Sequence, residues 1–315
     1  MEFKITKSDI ENAHVRIAPL VNRTPILTSE SINAIFGCEL FFKCENFQKI
    51  GAFKARGGLN AVLSLPDEVR AKGVVTHSSG NHAQAIAMAA KSCNIPAYIV
   101  MPNTAPQVKK EAVEGYGAKV TYCEPTQVAR EENASRIQAE TGATFISPYN
   151  DYKVIEGQAT CAKEFFEEQS DLAALIGPVG GGGLMAGTAL ATHYFSPETK
   201  VYAAEPANAD DTYRSFKAGK IVKIPQPKSI GDGLLTIVGD KTFPIIKALV
   251  SDVFTVTEEE IVEAMRLIWE RMKIIIEPSS AVAVATLYRH KAQFSGQKVG
   301  IIITGGNVDL GKLPF

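Results

Sequence analysis

Cysteine, histidine and tryptophan are scarce in this chain of 315 residues, which contains five, five and one of them. The five cysteines are odd in number and scattered, without a C-x-x-C pair. This pattern argues against a disulfide framework and gives no indication of zinc, so we expect reduced thiols and a cytoplasmic protein. An excess of one charge sign is also missing, since 33 Lys and Arg face 34 Asp and Glu. Without a basic field, nucleic acid is not an expected partner.

Long hydrophobic runs are missing as well. Residues 172–192 are uncharged and long enough to raise the question of a membrane span, but Pro178 and four consecutive glycines interrupt them. The first nine residues mix both charge signs and lack the apolar core of a secretory signal. We therefore expect no membrane partner. With 45% hydrophobic residues, the chain can instead bury one large core or two modest ones.

Short β-rich runs alternate with helical patterns from about residue 73 onward, at 74–75, 99–100, 120–122 and 145–146. Between the first two runs, four apolar residues at helical spacing predict one buried helix face: Ala83, Ile86, Ala87 and Ala90. Residues 106–116 and 127–140 predict two further helices. This alternation is typical of βαβ units.

The alternation resumes after residue 148, with a helix around 160–168, a strand at 175–179, a helix ending at Tyr194 and a strand at 201–204. Thr257 and Glu260 predict a capping box, and residues 298–303 predict a buried strand. Such units imply an α/β fold with two open, twisted, mostly parallel sheets flanked by helices. We predict a large domain from residues 1–68 and 150–315 and a small mobile domain from residues 69–149, with the chemistry in the cleft between them.

The segment most informative about function is residues 45–57, with the sequence ENFQKIGAFKARG. It sets Lys54 among glycines, aromatic rings and an arginine. A lysine forms an imine only as a neutral amine, which a shielded place or a nearby positive charge favours. Phe53 and Arg56 could supply both conditions, so we predict that Lys54 is a covalent anchor. The alternative is an exposed loop lysine.

Two further segments lie where a predicted strand passes into a helix. The polar turn, residues 76–82 (THSSGNH), combines backbone N–H groups with short polar side chains and predicts an anion pocket, although Ser79 or Asn81 could simply cap the helix. The glycine loop, residues 180–183, lets bare backbone approach a phosphate. Its spacing also resembles a dinucleotide fingerprint, and Glu205 lies roughly where an acidic ribose ligand would be, so NAD stays an alternative.

Two polar segments follow later strands. Thr304, at the end of the last predicted strand, carries a hydroxyl that can hydrogen-bond a pyridine nitrogen without giving it a full proton. The acidic loop, residues 205–211 (EPANADD), offers carboxylates and carbonyls suited to a hard cation such as magnesium, manganese or calcium. A solvated acidic loop is the alternative.

Together, a reactive lysine, a polar turn, a glycine loop and a final hydroxyl-Gly-Gly-Asn describe a pyridoxal phosphate site. The chain resembles the fold-type II pyridoxal phosphate enzymes, whose fold is tryptophan synthase β-like. Within them it is most similar to the serine racemases and short serine/threonine dehydratases, from about Asp9 to Asp309.

The resemblance implies a role for each segment. The cofactor contacts would be Phe53, Lys54, Asn81, Gly180, Gly181, Gly182, Gly183, Leu184 and Thr304. The substrate contacts would be Ser78, Asn81, His82, Arg130 and Thr236. Lys54 and Ser79 would be the catalytic pair on opposite faces of the substrate's α-carbon. Nothing in the sequence identifies a neighbour that would activate the Ser79 hydroxyl.

The resemblance also implies regulatory ligands. A divalent cation would be held by Glu205, the carbonyl of Ala209, and Asp211. ATP is implied as an activator at a subunit contact, with Lys49, Lys273 and Asn307, but Ile50 stands where a threonine is often found and argues against it. A homodimer is expected from the resemblance alone.

The expected function is racemisation of L-serine combined with dehydration of L-serine and L-threonine to a 2-oxo acid and ammonia. One rival is a dedicated serine/threonine or 3-hydroxyaspartate ammonia-lyase without significant racemisation. A nucleotide-binding oxidoreductase would leave the segment around Lys54 unexplained. A catalytically silent binding protein would leave the lysine, the polar turn and the glycine loop unexplained together.

Overall fold

The computed structural model describes residues 3–78, 80–105 and 107–315. Its strands are β1 (Ile26–Leu27), β2 (Glu39–Cys44), β3 (Val74–His77), β4 (Ala97–Pro102), β5 (Lys119–Cys123), β6 (Thr144–Phe145), β7 (Ala174–Pro178), β8 (Lys200–Pro206), β9 (Asp252–Val256) and β10 (Lys298–Ile303). They form two sheets, a six-stranded sheet in the order β1-β2-β10-β7-β8-β9 and a four-stranded sheet in the order β5-β4-β3-β6. Neighbouring strands run parallel except β1 and β2, which confirms the predicted fold class.

Helices connect these strands. They are α1 (Lys7–Ile17), α2 (Glu30–Phe36), α3 (Lys54–Leu63), α4 (Asp67–Arg70), α5 (Asn81–Ser92), α6 (Gln107–Gly115), α7 (Gln127–Thr141), α8 (Tyr152–Glu168), α9 (Gly183–Phe195), α10 (Asp211–Ala218), α11 (Phe243–Leu249), α12 (Glu258–Met272) and α13 (Pro278–Phe294). Short 3₁₀ turns lie at Glu45–Phe47, Lys49–Gly51, Ala207–Ala209 and Asp232–Leu234.

Apolar side chains on both faces of the larger sheet build its core. Ile301 and Ile303 of β10 pack into one hydrophobic cluster, and Ile302 between them packs into the cluster on the opposite face. This alternation follows from the two-residue period of a strand. Because helices cover both faces, the strand reads as a continuous apolar run. Among the described residues, no helix is both long and apolar enough to span a membrane.

Local sequence signals explain several helix boundaries. The predicted capping box is present, with the Thr257 side chain accepting from Glu260 N–H and the Glu260 side chain accepting from Thr257 N–H. The predicted face of α5 is buried. The predicted start of α8 at residue 160 is wrong, because the Asp151 side chain accepts from the N–H groups of Lys153 and Val154 and so caps the helix a full two turns earlier.

The order of the strands gathers the predicted segments at strand ends. The glycine loop follows β7, the acidic loop begins in β8, and Thr304 follows β10, so all three lie beyond the carboxyl ends of parallel strands in one sheet. The polar turn follows β3 of the smaller sheet. The four strands of that sheet fall between residues 74 and 145, but the domain boundaries at residues 68/69 and 149/150 stay a prediction.

Candidate active site

Lys54 is the first residue of α3 and lies partly buried. Its Nζ donates a hydrogen bond of 2.6 Å to the Pro148 carbonyl, and it lies 5.2 Å from the centroid of the Phe53 ring. Burial lowers the pKa of Lys54 to about 8, although the Glu277 carboxylate opposes the shift. Among the described residues, no carboxylate forms a salt bridge with this amine. Lys54 is therefore unusually able to lose its proton near neutral pH.

The expectation that Arg56 supplies positive charge to Lys54 is wrong. The Arg56 guanidinium is fully buried and donates to both carboxylate oxygens of Glu45 at 2.7 and 2.8 Å and to Glu164 at 2.8 Å. Lys43 adds a second buried cation, 3.1 Å from Glu164. These four residues form a buried ion network in which two cations balance two anions. Burial alone lowers the pKa of Lys54.

The glycine loop packs tightly between other parts of the chain. A Cβ on Gly181 would overlap the Tyr149 ring, and a Cβ on Gly180 would lie 2.9 Å from Leu234 Cα. Gly182 has a φ of 90°, which favours glycine. These contacts explain why three consecutive positions exclude side chains. They also leave the loop's backbone uncovered by side chains of its own.

Backbone N–H groups at the start of α9 lack acceptors. Gly181 N–H donates to Thr236 Oγ1 at 3.0 Å, but within residues 3–78, 80–105 and 107–315 nothing accepts from the N–H of Gly182, Gly183 or Leu184. All three residues are buried. Buried helix ends without partners are unusual, and N–H groups gathered at a helix N-terminus suit a phosphate.

Thr236 thus lies against the glycine loop, and its expected contact with the substrate stays a prediction. Tyr149, whose ring covers Gly181, was not singled out by the sequence. Tyr149 directly follows Pro148, whose carbonyl accepts from Lys54. Pro148 therefore contacts the lysine, and Tyr149 contacts the glycine loop. Burial raises the pKa of the Tyr149 phenol, which keeps it a hydrogen-bond donor at neutral pH.

The polar turn leads into α5. Ser78 Oγ accepts from Gly80 N–H at 3.3 Å. Ser79, predicted as the second catalytic residue, lies outside the described residues. His82 is buried, with Nε2 3.1 Å from the Ile146 carbonyl. Since a carbonyl only accepts, Nε2 carries the proton and Nδ1 is an acceptor, without a partner among the described atoms.

The state of His82 limits its role. Burial lowers its pKa to about 3, and the charge of Lys54 adds to the effect, so the ring is neutral. A neutral ring whose only N–H is engaged has no proton for a carboxylate. The backbone N–H groups of Asn81 and His82, at the start of α5, have no acceptor in the described part of the chain and suit an anion better.

Asn81 is fixed by Glu277, a residue that the sequence did not single out. Asn81 Nδ2 donates to both Glu277 carboxylate oxygens, at 2.9 and 3.2 Å, and Asn81 Oδ1 accepts from Asn307 Nδ2 at 2.9 Å. Burial raises the pKa of Glu277 to about 7. The chain separates Asn81 from Glu277 by 196 residues, so only the fold reveals the pair.

Thr304 joins this group through the backbone. Its carbonyl accepts from Phe53 N–H at 2.9 Å, and Ala52 pairs with Gly305 in an antiparallel bridge. The Thr304 hydroxyl lies 2.9 Å from the hydroxyl of Ser280. The structure therefore brings Phe53, Lys54, Asn81 and Thr304 into one connected cluster.

Arg130 lies in α7, which packs against the four-stranded sheet. Its Nε donates to the Thr126 carbonyl of its own helix, and its charge contributes to the lowered pKa of His77, whose main cause is burial. It is therefore near the end of β3, where the polar turn begins. Among the described residues, Arg130 forms no salt bridge.

The acidic loop buries two carboxylates. Glu205 and Asp211 are 0% and 1% exposed, and they accept backbone N–H groups from Tyr213 and Val238. Burial raises the pKa of Asp211 to about 6 and that of Glu205 well above its ordinary range, and in Glu205 the negative charge of Asp211 adds to the effect. Ala209, between them, is buried in a 3₁₀ turn. No group of three or more His, Cys, Asp or Glu side chains suited to a metal occurs in the described residues.

The residues predicted to bind a nucleotide have different surroundings. Lys49 is exposed, and the exposed Lys273 donates to the Glu270 carbonyl at 2.6 Å. Asn307 is engaged with Asn81 and with the Ile50 carbonyl, at 2.7 Å.

Comparisons with known proteins agree with this geometry. A family model described as pyridoxal-phosphate dependent enzyme matches residues 17–305. The chain is 53% identical over 310 residues to a β-hydroxyaspartate dehydratase of Paracoccus denitrificans, covering 98% of each chain. It is 50% identical to a serine racemase of Dictyostelium discoideum, covering 98% of this chain and 97% of the relative.

A solved structure of maize serine racemase superposes with a TM-score of 0.94 at 45% sequence identity, covering 96% of this chain and 94% of the other. Both the family model and these relatives span nearly the whole chain. The chain belongs to the pyridoxal-phosphate dependent enzymes, among the fold-type II racemases and ammonia-lyases.

Proposed function

We propose that this enzyme racemises L-serine and dehydrates L-serine and L-threonine to 2-oxo acids and ammonia. The observation that carries the proposal is the Lys54 amine, whose neutral form burial favours. Pro148, which accepts a hydrogen bond from this amine, is followed by Tyr149, which packs on the glycine loop. Three N–H groups of that loop have no acceptor among the described residues. This combination fits an aldehyde cofactor with a phosphate group. Relatives about half identical include proteins named serine racemase and β-hydroxyaspartate dehydratase.

The chain's residues fit pyridoxal phosphate. Lys54 would hold the aldehyde carbon and Phe53 would lie against the ring. Gly180, Gly181, Gly182, Gly183 and Leu184 would surround the phosphate, with the N–H groups of Gly182, Gly183 and Leu184, which lack acceptors among the described residues, donating to it. Asn81, held in place by Glu277 and Asn307, would contact the ring hydroxyl. Thr304 would face the ring nitrogen. When bound, the cofactor withdraws electrons from the substrate's α-carbon and so weakens its C–H bond.

The substrate would be positioned by the start of α5. The N–H groups of Asn81 and His82 and the hydroxyl of Ser78 would hold the α-carboxylate, with the neutral His82 ring restricted to supporting Ile146. Thr236 and Arg130 would provide accessory contacts. These groups would fix which C–H bond stands over Lys54.

Proton transfer would fall to two side chains. The neutral Lys54 amine would take or return the α-proton on one face, and Ser79 would do so on the other, which permits inversion. Loss of the β-hydroxyl from the same carbon framework gives elimination. The two outcomes share their first proton transfer and differ in the next step, which is either reprotonation of the α-carbon or departure of the hydroxyl.

A dedicated ammonia-lyase without significant racemisation is the second candidate. Arg130 favours it, because a cation without a salt bridge near the polar turn suits a substrate with a second carboxylate, such as 3-hydroxyaspartate. The β-hydroxyaspartate dehydratase relative supports the same candidate. Chromatography of the products from L-serine, L-threonine and 3-hydroxyaspartate, resolving 2-oxo acid from inverted amino acid, separates the two. Absence of D-serine under every condition would remove the racemase proposal.

A divalent cation, ATP and a homodimer complete the proposal. Two buried carboxylates with raised pKa values support a cation at Glu205, Ala209 and Asp211, since a cation would relieve their repulsion. Titration with magnesium should raise the melting temperature of the wild type and leave that of Asp211→Asn unchanged. ATP at Lys49, Lys273 and Asn307 has less support, because Asn307 already bonds Asn81. Light scattering measures the oligomer.

A further inference from the structure

Thr242 is a buried residue that contacts the glycine loop and that the sequence did not single out. It directly precedes α11 and is 0% exposed. Thr242 Oγ1 lies 2.8 Å from the Gly181 carbonyl oxygen and 3.2 Å from that of Gly239, and it accepts from Gly239 N–H at 2.9 Å. A hydroxyl has one proton, and only the shorter carbonyl contact lies within the usual range of an O–H···O hydrogen bond. Thr242 therefore donates to the Gly181 carbonyl.

Gly181 is held at both of its polar backbone groups. Its N–H donates to Thr236 Oγ1 at 3.0 Å, and its carbonyl accepts from Thr242 Oγ1. The turn that carries Thr242 is itself fixed, since Lys241 N–H donates to Asn150 Oδ1 at 3.0 Å. The orientation of the Gly181 carbonyl is therefore set by a part of the chain outside the glycine loop.

The direction of the Gly181 carbonyl fixes the direction of the Gly182 N–H. The two groups belong to one trans peptide unit, in which the C=O and the N–H point in opposite directions. Because the carbonyl points at Thr242, the N–H points away from that residue. This N–H is one of the three that have no acceptor among the described residues. It is therefore free to donate to a ligand beside the loop.

A loop of glycines does not hold this peptide by itself. Gly182 has a φ of 90° and a ψ of 0°, close to the values of the third residue of a type II turn. Rotation of the preceding peptide by half a turn gives a φ of about −90°, as in a type I turn, which glycine adopts as readily. The rotated peptide would present the Gly181 carbonyl oxygen to the place that the N–H now faces. An anion there would meet a partial negative charge.

We propose that Thr242 is a positioning residue, whose hydroxyl holds the Gly181 carbonyl and thereby keeps the Gly182 N–H directed at the cofactor phosphate. This inference rests on the proposed function, in which the glycine loop surrounds that phosphate. Thr242 acts through the loop and not through a contact of its own with the cofactor. Its effect should therefore depend on the phosphate group and not on the ring or the aldehyde.

The test compares the binding of pyridoxal phosphate with that of pyridoxal, which has the same ring and aldehyde but no phosphate. Both dissociation constants are measured for the full chain, freed of cofactor, of the wild type and the variants. Thr242→Val should weaken binding of pyridoxal phosphate about fivefold, the effect of one hydrogen bond, and leave binding of pyridoxal unchanged. Gly239 N–H, 3.2 Å from the Gly181 carbonyl oxygen, remains as a weaker donor, so the loss should be partial. Thr242→Ser keeps the hydroxyl and should bind both compounds as the wild type does.

Thr192→Val is the matched control. Thr192 is 3% exposed and donates to the Thr188 carbonyl within α9, more than two turns after the glycine loop. This variant should keep the wild-type preference for pyridoxal phosphate. The ³¹P chemical shift of bound pyridoxal phosphate should move in Thr242→Val and stay unchanged in Thr192→Val. If Thr242→Val does not fold, Thr242→Ala removes the same donor without placing a methyl group beside the carbonyl.

Two results would overturn the inference. Equal losses of affinity for both compounds would mean that Thr242 only supports the fold, and an unchanged preference for pyridoxal phosphate in Thr242→Val or Thr242→Ala would mean that the hydroxyl does not direct the loop. If the wild type binds both compounds equally, the proposed phosphate site fails and the inference fails with it. A wild type that prefers pyridoxal phosphate but forms neither 2-oxo acid nor D-serine contradicts the proposed function and leaves the role of Thr242 standing.

Discussion

Lys54 and Arg56 lie two residues apart on α3, yet the fold gives them opposite surroundings. The Arg56 guanidinium is fully buried and contacts two carboxylates, those of Glu45 and Glu164. The Lys54 amine has a carbonyl as its hydrogen-bond partner, and the one carboxylate that affects it, Glu277, is already bonded to Asn81. Burial therefore stabilises the charge of one residue through its partners and disfavours the charge of the other.

The difference follows from the 100° rotation between successive residues of a helix, which directs side chains two positions apart to nearly opposite sides. On one side, Arg56 meets β2 and α8 through the buried ion network. On the other, Lys54 faces Pro148. On the Arg56 side, the buried ion network anchors α3. On the Lys54 side, burial without a salt bridge among the described residues keeps the amine reactive.

Removing Lys54 should have the largest effect. Lys54→Ala should lower turnover by about a thousandfold or more, because it deletes both the covalent anchor and a proton-transfer group. Steady-state assay of 2-oxo acid measures this. Lys223→Ala, which removes an exposed loop lysine, is the matched control and should retain activity. Similar losses in both variants would contradict a special role for Lys54.

Removing Arg56 should act on folding. Arg56→Met leaves Glu45 and Glu164 buried without their main partner, which should lower the free energy of unfolding by about 3–5 kcal/mol. Urea denaturation followed by circular dichroism measures it. Arg214→Met, which removes a surface ion pair with Asp210, is the control and should unfold at the wild-type midpoint. If Arg56→Met is as stable as the wild type, the network does not anchor α3.

A methyl group in the glycine loop should lower both stability and cofactor affinity. Gly181→Ala overlaps the Tyr149 ring, and such overpacking lowers the free energy of unfolding by about 1–3 kcal/mol. The shift of the loop backbone that relieves the overlap should also weaken cofactor binding about fivefold or more. Equilibrium titration with pyridoxal phosphate measures the change. Gly115→Ala has open space around its Cβ and is the control. Unchanged affinity in Gly181→Ala would separate this loop from the cofactor.

The smallest effect concerns pH. Since the neutral amine reacts, cofactor incorporation into apoprotein should reach half its maximal rate near pH 8, the pKa of Lys54, instead of near 10.5. Between these values the unfolded chain binds more protons, so the contribution of Lys54 to stability rises with pH across this window. Lys54→Met should lack that rise. A half-maximal rate above pH 10 would mean that burial does not act on Lys54.

The sequence predicted the repeated βα units because apolar residues recur with clear periods in segments such as α5 and β10. It also predicted the segments of the site, since lysine, glycine and polar clusters stand at strand ends. It did not predict α13, although Pro278 in the first turn is a helix-start signal.

Glu277, Tyr149 and Thr242 could not be found from the sequence because their roles arise from contacts across the fold. Each is an ordinary residue by composition and acquires a role only beside Asn81 or Gly181. The direction of the His82 ring depends in the same way on the carbonyl of Ile146. The function of Arg56 was mistaken because the sequence did not predict α3, in which side chains two positions apart point to nearly opposite sides.

The central claim is that Lys54, alone among the lysines, bonds covalently to the cofactor. Reduction of the holoenzyme with borohydride, followed by proteolysis and mass spectrometry, tests it directly. We expect one modified peptide, carrying the reduced cofactor on Lys54. A modification on another lysine, or none, would contradict the claim.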